Sequence, residues 1–288
     1  MNYEKEYAKK LTTPEEAVKI VKSGDWVDYG WCANHPRVLD KALAERMIKE
    51  PSLTDLKFRG GVALWMPEVA KIPNAKEQMC WNSWHASGYE RKLTDNGIGY
   101  YAPLRFSELP RNYRDNIKHV DVTFIQVAPM DKHGYFNFGL SASDIAAVIE
   151  VSEKVVVEVN PLMPVVLGGT EVSVHIDDVD FIVENEGIPM ADLPSGVPSE
   201  IDEAVAKLIV PEIPNGACLQ LGIGGMPNAV GAMIAKSDLK DLSVHTEMYV
   251  DGFVDIANAG KLTCAQKNID KGRQVFTFCL LYTSDAAD

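Results

Sequence analysis

The stretch VDVTFIQVAP, residues 120–129, is a continuous run of apolar and β-branched residues. Such runs are typical of strands that are buried on both faces of a parallel sheet. KVVVEV (154–159) has the same character, and SASDIAAVIEVSEK (141–154) between them predicts a helix that begins at a serine cap. Strand, helix and strand in this order predict an α/β fold built on open parallel sheets.

The same alternation continues on both sides of this unit. Thr13-Pro14-Glu15-Glu16 is a capping box that predicts the start of a helix. Towards the N-terminus we predict helices over 14–22 and 37–49 and a strand over 56–64. Towards the C-terminus we predict helix 200–210, strand 217–221, helix 228–236, strand 243–247, helix 252–259 and strand 274–279.

One segment interrupts this rhythm. NEGIPMADLPSGVPSE (185–200) holds three prolines and two glycines without apolar periodicity, which is typical of an interdomain linker. We therefore predict two α/β domains, residues 1–190 and 191–288.

The end of the second domain departs from this pattern. QVFTFCLLY begins as a buried strand, but TSDAAD follows it at once. A domain that stopped there would leave a broad sheet edge unpaired, which folded proteins avoid. We expect an incomplete second domain, with foreign sequence from Leu280 onward.

Composition excludes several classes of function. The net charge of −13 argues against general binding to nucleic acid or to anionic membranes. The five cysteines are scattered and lack zinc-site spacing, so reduced thiols are expected. The N-terminal residues do not form a signal peptide, and no apolar run approaches the ~18 residues of a membrane span. These features predict a cytoplasmic protein.

The glycine-rich stretch LQLGIGGMPNAV (219–230) lies between a predicted strand and a predicted helix. Its amides therefore point into the crevice at the carboxyl end of the sheet. A Walker P-loop is improbable, because the loop ends in Pro-Asn-Ala. A dinucleotide site stays a weak alternative, since Pro227 replaces the third glycine. An oxyanion or thioester site and a tight turn without a ligand both remain open.

Glu247 lies in SVHTEMYVDG (243–252), at the carboxyl end of the next predicted strand. Adjacent parallel strands would bring it to the mouth of the same crevice. A carboxylate beside preorganised amides is a candidate covalent nucleophile. Considered alone, a glutamate that ends a strand is more often a surface charge.

These motifs together resemble one family. LQLGIGGMPNAV followed by VHTEMYVDGFVDI is similar to the acetyl-CoA hydrolase/transferase group of family I CoA-transferases. The resemblance spans almost all of residues 1–278, and further matching motifs are SGDWVDYGWC (23–32), CWNSWHASG (80–88), RFSELPRNYR (105–114) and VAPMDKHGYFNFG (127–139).

The resemblance implies a set of site residues. Glu247 matches the catalytic glutamate of the family, which forms a glutamyl-CoA thioester. The residues that match the loop in contact with CoA are Gly224, Gly225, Met226, Pro227 and Asn228.

It also implies the reaction and the partners. CoA would pass from a short-chain acyl-CoA, with butyryl-CoA favoured, to acetate by a ping-pong mechanism. The CoA thioester is then a substrate, and neither a metal nor a permanently bound cofactor is expected. A homo-oligomer is expected, with a symmetric dimer as the default. Family members extend beyond residue 288, so we expect weak turnover from this chain.

Three alternatives stay open. The acyl group could be 4-hydroxybutyryl, because pockets that differ slightly discriminate by only ~1–3 kcal/mol. The same glutamate could serve an acyl-CoA hydrolase. The chain could also be a CoA- or nucleotide-sensing module without catalysis.

Other conspicuous residues are interpreted mainly as structural. Trp81 and Trp84 are expected to pack in the core and His85 to be a hydrogen-bonded structural histidine. We expect packing roles for Cys32 and His35 as well.

Three further segments are interpreted from their residue patterns. The segment 129–139 is either part of a water-excluding wall or a packed aromatic turn. The acidic segment 171–186 is interpreted as a solvated strand–turn–strand. Arg105, Arg111 and Arg114 are candidates for binding CoA phosphates or a carboxylate.

Overall fold

The computed structural model describes residues 2–191 and 196–279. The chain divides into two compact units, Met1–Ala191 and Asp192–Asp288. The middle of the predicted linker, 192–195, lies outside the described residues, as does the predicted foreign end from Leu280 onward. The predicted domain bounds and the incompleteness of the second domain stay predictions.

The first unit alternates strands and helices along the chain. Its helices are α1 Tyr3–Lys10, α2 Pro14–Ala17, α3 Val38–Lys49, α4 Ala75–Gln78, α5 Gly88–Asp95, α6 Leu109–Asn112 and α7 Ile145–Glu150. Its strands are β1 Trp26–Trp31, β2 Leu56–Gly61, β3 Met79–Ser83, β4 Gly99–Tyr101, β5 Val120–Val127, β6 Tyr135–Asn137, β7 Ser152–Val159, β8 Ser173–His175 and β9 Phe181–Glu184.

Within residues 2–191, seven strands form one sheet in the order β4-β3-β2-β1-β5-β7-β9. Every neighbouring pair in this sheet is parallel. The predicted α/β class is therefore confirmed, and β5 and β7 are the two strands from which it was deduced. Strands β6 and β8 form a separate antiparallel pair.

Both faces of the large sheet are covered by apolar side chains. Tyr29, Phe58 and Trp81 are buried on one face, where helix α3 packs. Ile125 and Val157 belong to a second buried cluster on the other face. Complete burial of one such side chain stabilises the fold by about 1.5–3 kcal/mol, which explains the continuous apolar character of the central strands.

Helix α3 begins without a side-chain cap from its preceding residue, Arg37. Instead, Glu158 of β7 reaches across to this helix. Its Oε2 accepts the backbone N–H groups of Arg37, Val38 and Leu39 at 2.9, 3.0 and 3.1 Å. A carboxylate at a helix N-terminus is stabilised by the unpaired N–H groups and the helix dipole. This contact fixes α3 against the sheet.

The predicted helix over 141–154 is shorter in the structure. Helix α7 spans Ile145–Glu150, and its N-cap is Asp144 without a side-chain capping bond. The predicted serine cap is therefore wrong. The helix ends early because Ser152 already pairs with Val120 in the sheet, and strand pairing replaces the helical hydrogen bonds there.

The predicted first helix also differs in length. Thr13 caps α2 as predicted, since its side chain accepts the N–H of Glu16. After Ala17 the chain continues as a 3₁₀ turn over Val18–Ile20. The predicted span 14–22 is thus one helical turn followed by a tighter turn.

The second unit contains shorter strands than predicted. Its elements are α8 Glu200–Ile209, β10 Cys218–Leu219, α9 Gly225–Lys236, β11 Ser243–Val244, β12 Met248–Tyr249, α10 Asp251–Asn258 and β13 Phe278–Cys279. Strand β10 pairs with β11, and β12 pairs with β13, both in parallel. The predicted strand 243–247 is thus shortened to Ser243–Val244, and β12 begins one residue after its predicted end.

Helices α9 and α10 approach each other at two glycines. A Cβ on Gly231 would lie 2.7 Å from the Cα of Gly252. Any side chain at position 231 would therefore separate the two helices. Across the ranges 2–191 and 196–279, the helices are too short or too polar to cross a membrane.

Candidate active site

The glycine-rich loop joins β10 to α9. Because Cys218 pairs with Ser243 and Leu219 with Val244, the loop leaves the sheet beside the end of β11. Gly224 is the N-cap of α9 and has a φ of 119°. Only glycine takes this conformation at no steric cost, so the chain reversal into α9 depends on Gly224.

The remaining predicted loop residues lie in the first turn of α9, which begins three residues before the predicted start at Asn228. Pro227 is therefore inside the helix and does not precede it. Its position is still favourable, because N–H groups of the first turn have no partner within the helix. The backbone N–H of Asn228 closes the turn on the carbonyl of Gly224 at 3.3 Å.

Part of this first turn is covered by the chain before α8. The side-chain Nδ2 of Asn228 donates to the carbonyl of Gly196 at 3.2 Å. A Cβ on Gly225 would lie 2.7 Å from Oδ2 of Asp202, whereas a Cβ on Gly222 would meet no atom within 4 Å. The part of the loop that a ligand can approach closely is thus at Gly222, which lies outside the predicted contact residues 224–228.

Glu247 lies between β11 and β12, and its side chain is exposed. Its backbone is fixed by the chain at the start of β13. The carbonyl oxygen of Glu247 accepts the N–H groups of Thr277 and Phe278 at 3.0 and 3.2 Å. An exposed carboxylate on a fixed backbone can attack an electrophile without a large rearrangement of the chain.

Thr246 connects this segment with the glycine loop. Its buried hydroxyl Oγ1 donates to the carbonyl of Met248 at 2.9 Å and lies 3.5 Å from the carbonyl oxygen of Leu221. The backbone N–H of His245 also donates to the carbonyl of Leu219 at 3.2 Å. The predicted nucleophile and the predicted loop therefore start from the same end of β10 and β11. Thr246 was missed by sequence reasoning, and its position directly before Glu247 was the available signal.

The segment after Glu247 is held by aromatic packing. The ring centroid of Tyr249 lies 5.4 Å from that of Phe253 and 5.2 Å from that of Phe276. The phenol donates to Oε1 of Gln274 at 2.6 Å. Burial raises the pKa of Tyr249 to about 12, so this group is a neutral hydrogen-bond donor at physiological pH.

Several residues of the first unit have the packing roles that were predicted. Trp81 is fully buried and stacks on Phe58 with centroids 5.9 Å apart. Cys32 and His35 are also buried. His35 Nε2 lies 3.2 Å from the carbonyl of Gly30, and burial lowers the pKa of this imidazole to about 4.

The other two residues of that group are less deeply placed. Trp84 is half-buried, and its Nε1 donates to the phenol oxygen of Tyr113 at 3.1 Å. His85 is exposed, and its backbone carbonyl accepts the hydroxyl of Ser83 at 2.8 Å. The exposed position of His85 therefore does not support the predicted role of a hydrogen-bonded structural histidine.

The three candidate arginines differ in their surroundings. Arg114 binds two carboxylates of its own unit, Glu150 at 2.6 Å and Glu171 at 3.0 Å. Its guanidinium is thus already engaged. Arg105 and Arg111 are exposed, and a contact of either with CoA stays a prediction.

The segment 129–139 contains both buried and exposed aromatic residues. Phe136 and Phe138 are buried in the core, as a packed aromatic turn requires, whereas Tyr135 is 44% exposed. The role of the segment 129–139 as a water-excluding wall stays a prediction.

In the acidic segment 171–186, β9 is an edge strand of the large sheet with Ile182 and Val183 buried. The predicted strand–turn–strand is confirmed by β8, a 3₁₀ turn and β9. The predicted solvation is wrong for the buried side chains of β9.

Within the described residues, one group of side chains is close enough to share a metal ion. The ligand atoms of His119, Asp121 and Glu153 lie within 4.8 Å of one another at the surface. His119 Nε2 instead contacts Asp121 Oδ1 at 3.0 Å. None of these residues belongs to the predicted site.

Comparison with known proteins identifies relatives over nearly the whole chain. A butyryl-CoA:acetate CoA-transferase of Anaerostipes caccae is 60% identical over 279 residues, which are 96% of this chain and 62% of that protein. A probable butyrate:acetyl-CoA coenzyme A-transferase of Syntrophomonas wolfei is 44% identical over 275 residues, 96% of this chain and 61% of that protein. The chain therefore spans about three fifths of the length of these relatives.

The fold has solved counterparts as well. The crystal structure of RipA from Yersinia pestis matches with a TM-score of 0.88 and 32% identity, over 97% of this chain and 66% of that one. The family described as acetyl-CoA hydrolase/transferase N-terminal domain matches residues 1–194. This chain belongs to the acetyl-CoA hydrolase/transferase family.

Proposed function

We propose that this chain carries the nucleophile and a CoA-contacting loop of a CoA-transferase that moves CoA from butyryl-CoA to acetate. The observation that carries the proposal is the placement of Glu247 and the glycine-rich loop at the same end of β10 and β11. The choice of butyryl-CoA and acetate is supported by the name of the A. caccae relative, at 60% identity.

The first half of the proposed reaction loads CoA onto the protein. A carboxylate oxygen of Glu247 attacks the thioester carbonyl of butyryl-CoA, the C–S bond breaks, and CoA leaves as a thiolate. The product is a mixed anhydride of Glu247 and butyrate. The thiolate then attacks the glutamyl carbonyl of this anhydride, which releases butyrate and leaves a glutamyl-CoA thioester.

The second half repeats these steps with the acceptor acid. Acetate attacks the glutamyl thioester and displaces the CoA thiolate, which gives a glutamyl–acetyl anhydride. The thiolate then attacks the acetyl carbonyl, so that acetyl-CoA leaves and the Glu247 carboxylate is restored. One thioester replaces another, so the chemistry needs neither ATP nor a resident cofactor.

Each attack passes through a tetrahedral oxyanion that needs hydrogen-bond donors. The backbone amides of the loop from Gly222 to Gly225 are the donors that we assign to it. One such donor typically contributes about 3 kcal/mol to transition-state stabilisation. Gly222 suits this role, since space for a ligand is open beside it. Water must be kept from the anhydride and the thioester, because it would hydrolyse both.

The cellular setting and assembly are parts of the same proposal. We propose a cytoplasmic setting, which the scattered spacing of the five cysteines in the sequence supports. We further propose a homo-oligomer, for which a symmetric dimer is the commonest form.

The proposal is tested with butyryl-CoA and ¹⁴C-labelled acetate. We expect labelled acetyl-CoA from this chain and none from Glu247→Gln, while the exposed control Glu203→Gln behaves like the parent. Release of free CoA without labelled acetyl-CoA would identify a hydrolase. Equal label from the parent and from Glu247→Gln would refute the role of Glu247.

A further inference from the structure

A row of polar side chains runs from the central strand β1 to the edge strand β4 of the large sheet. Asp28 of β1 pairs with Arg59 of β2, Arg59 pairs with Asn82 of β3, and Asn82 pairs with Tyr100 of β4. Residues opposite one another in a parallel sheet project from the same face. The four side chains therefore form one continuous row.

Two neighbouring members of this row are buried donors without acceptors. Arg59 is 8% exposed and Asn82 is 3% exposed. Among the residues that the structure describes, Nε and Nη1 of Arg59 and Nδ2 of Asn82 have no hydrogen-bond partner. Leaving a buried charged donor without an acceptor costs more free energy than leaving a neutral donor without one. Arg59 therefore contributes most of the cost of these missing hydrogen bonds.

The nearby groups do not supply the missing hydrogen-bond acceptors. The guanidinium of Arg59 lies over the ring of Trp26, 3.6 Å from its centroid. Such stacking satisfies the flat face of the guanidinium, whereas its N–H bonds point outward in the plane. Asp28 is also occupied, because its oxygens accept the phenol of Tyr113 at 2.5 Å and the N–H of Gly30 at 2.9 Å.

The unpaired donors indicate which chemical class of ligand fits here. Arg59 and Asn82 stand on adjacent strands, about 4.8 Å apart, and each needs an acceptor. A carboxylate supplies two acceptor oxygens on one planar group and a single negative charge. A second negative charge would be disfavoured by the Asp28 carboxyl in the same row.

The side chains that border this row on the same face of the sheet are partly exposed. The row before it, Trp26, Lys57 and Cys80, follows from the same register, and all three residues are half-buried. At the end of the polar row, Tyr100 is 45% exposed. Partly exposed side chains thus border the buried donors of Arg59 and Asn82 on the same face, and they are the route that the proposal assigns to an entering ligand.

We infer that Arg59 and Asn82 form a binding site for a small carboxylate on this face of the first unit. One oxygen accepts from Arg59 and the other from Nδ2 of Asn82. The site shares no residue with the segment that contains Glu247. It is independent of the proposed function.

The test follows the Nε–H resonance of Arg59 by ¹⁵N NMR in the full 288-residue chain, with Arg59→Lys to assign the signal. Sodium acetate is the probe, and sodium chloride and sodium phosphate at equal ionic strength are the comparisons. We expect a saturable shift with acetate that neither chloride nor phosphate reproduces. Because the signal reports Arg59 itself, binding of acetate elsewhere does not interfere.

Asn82→Asp is the decisive variant, because it places a carboxylate of nearly the same shape beside Arg59. We expect it to fold, to shift the Arg59 resonance without acetate, and to raise the acetate concentration for half of the shift by about tenfold or more. Asn116→Asp, at an exposed position, makes the same charge change and should respond like the parent.

Several results would overturn the inference. These are no shift with acetate, an equal shift with chloride, a shift with phosphate alone, or an unchanged acetate response in Asn82→Asp. Failure of Asn82→Asp to fold would also count against the inference, since Arg59 and Asn82 are proposed to bind a carboxylate at this place.

Discussion

The hydroxyl Oγ1 of Thr246 lies 3.5 Å from the carbonyl oxygen of Leu221. This contact joins the residue before Glu247 to the beginning of the glycine-rich loop, and a bond of 2.9 Å to the carbonyl of Met248 fixes the same hydroxyl. The position of the proposed nucleophile therefore depends on a side chain that does no chemistry itself.

We predict that Thr246→Val lowers kcat for CoA transfer by about 10- to 100-fold, because small displacements of a reacting group cost that much. The KM for butyryl-CoA should change much less, since the loop is not altered. Steady-state kinetics of labelled acetyl-CoA formation measure both values. Thr246→Ser keeps the hydroxyl and should recover most of the rate. A Val variant as active as the Ser variant would contradict the positioning role.

The close approach of α9 and α10 at Gly231 and Gly252 gives a prediction about stability. Gly231→Ala places a methyl group 2.7 Å from the Cα of Gly252, which should destabilise the second unit by about 1–3 kcal/mol. Hydrogen exchange measures this loss of stability, which should appear as faster exchange of the backbone amides of α9 and α10. Gly222→Ala, which meets open space, is the matched control and should leave exchange in both helices unchanged. Equal protection in the two variants would show that the helices have room to separate.

Asp144 predicts how stability depends on pH. Burial, and then the charge of Asp28, raises the pKa of Asp144 from 3.8 to about 8 in the folded chain. The unfolded chain therefore loses this proton first as the pH rises, so the contribution to stability is full below pH 4 and declines up to pH 8. Asp144→Asn keeps the shape and removes the ionisation. It should raise the Tm at pH 8, by about 2–4 °C for each kcal/mol recovered, and change it less at pH 5.

Thermal unfolding at these two pH values checks this prediction. Asp178→Asn, at an exposed position, is the control with the same charge change. Its Tm should differ between pH 5 and pH 8 by as much as the Tm of the parent does. An Asp144→Asn variant whose Tm falls with pH as steeply as that of the parent would refute the assignment.

The fold was predictable where burial alone decides structure. Strands β5 and β7 lie between two covered faces, so their sequences are continuously apolar and could be recognised. The helix between them was predicted too long, because the pairing of Ser152 with Val120 is a contact between distant residues. Local sequence does not contain such a contact.

The local structure around the candidate site was predictable in part for a similar reason. Glycines before a helix and a glutamate after a strand are local signals, and they placed Gly224 at the start of α9 and Glu247 after β11. The cover of Gly225 by Asp202 depends on how two helices pack. The alignment of Arg59 with Asn82 depends on the register of two strands. Neither relation has a signature in one segment of sequence.

The central claim is that Glu247 forms a covalent thioester with CoA, and intact-protein mass spectrometry tests it most directly. The chain is incubated with butyryl-CoA beside Glu247→Gln and the exposed control Glu203→Gln, and peptide mapping then locates any adduct. We predict a CoA adduct on Glu247 in the parent and in Glu203→Gln, and none in Glu247→Gln. A folded parent without an adduct, or an equal adduct in Glu247→Gln, would contradict the account.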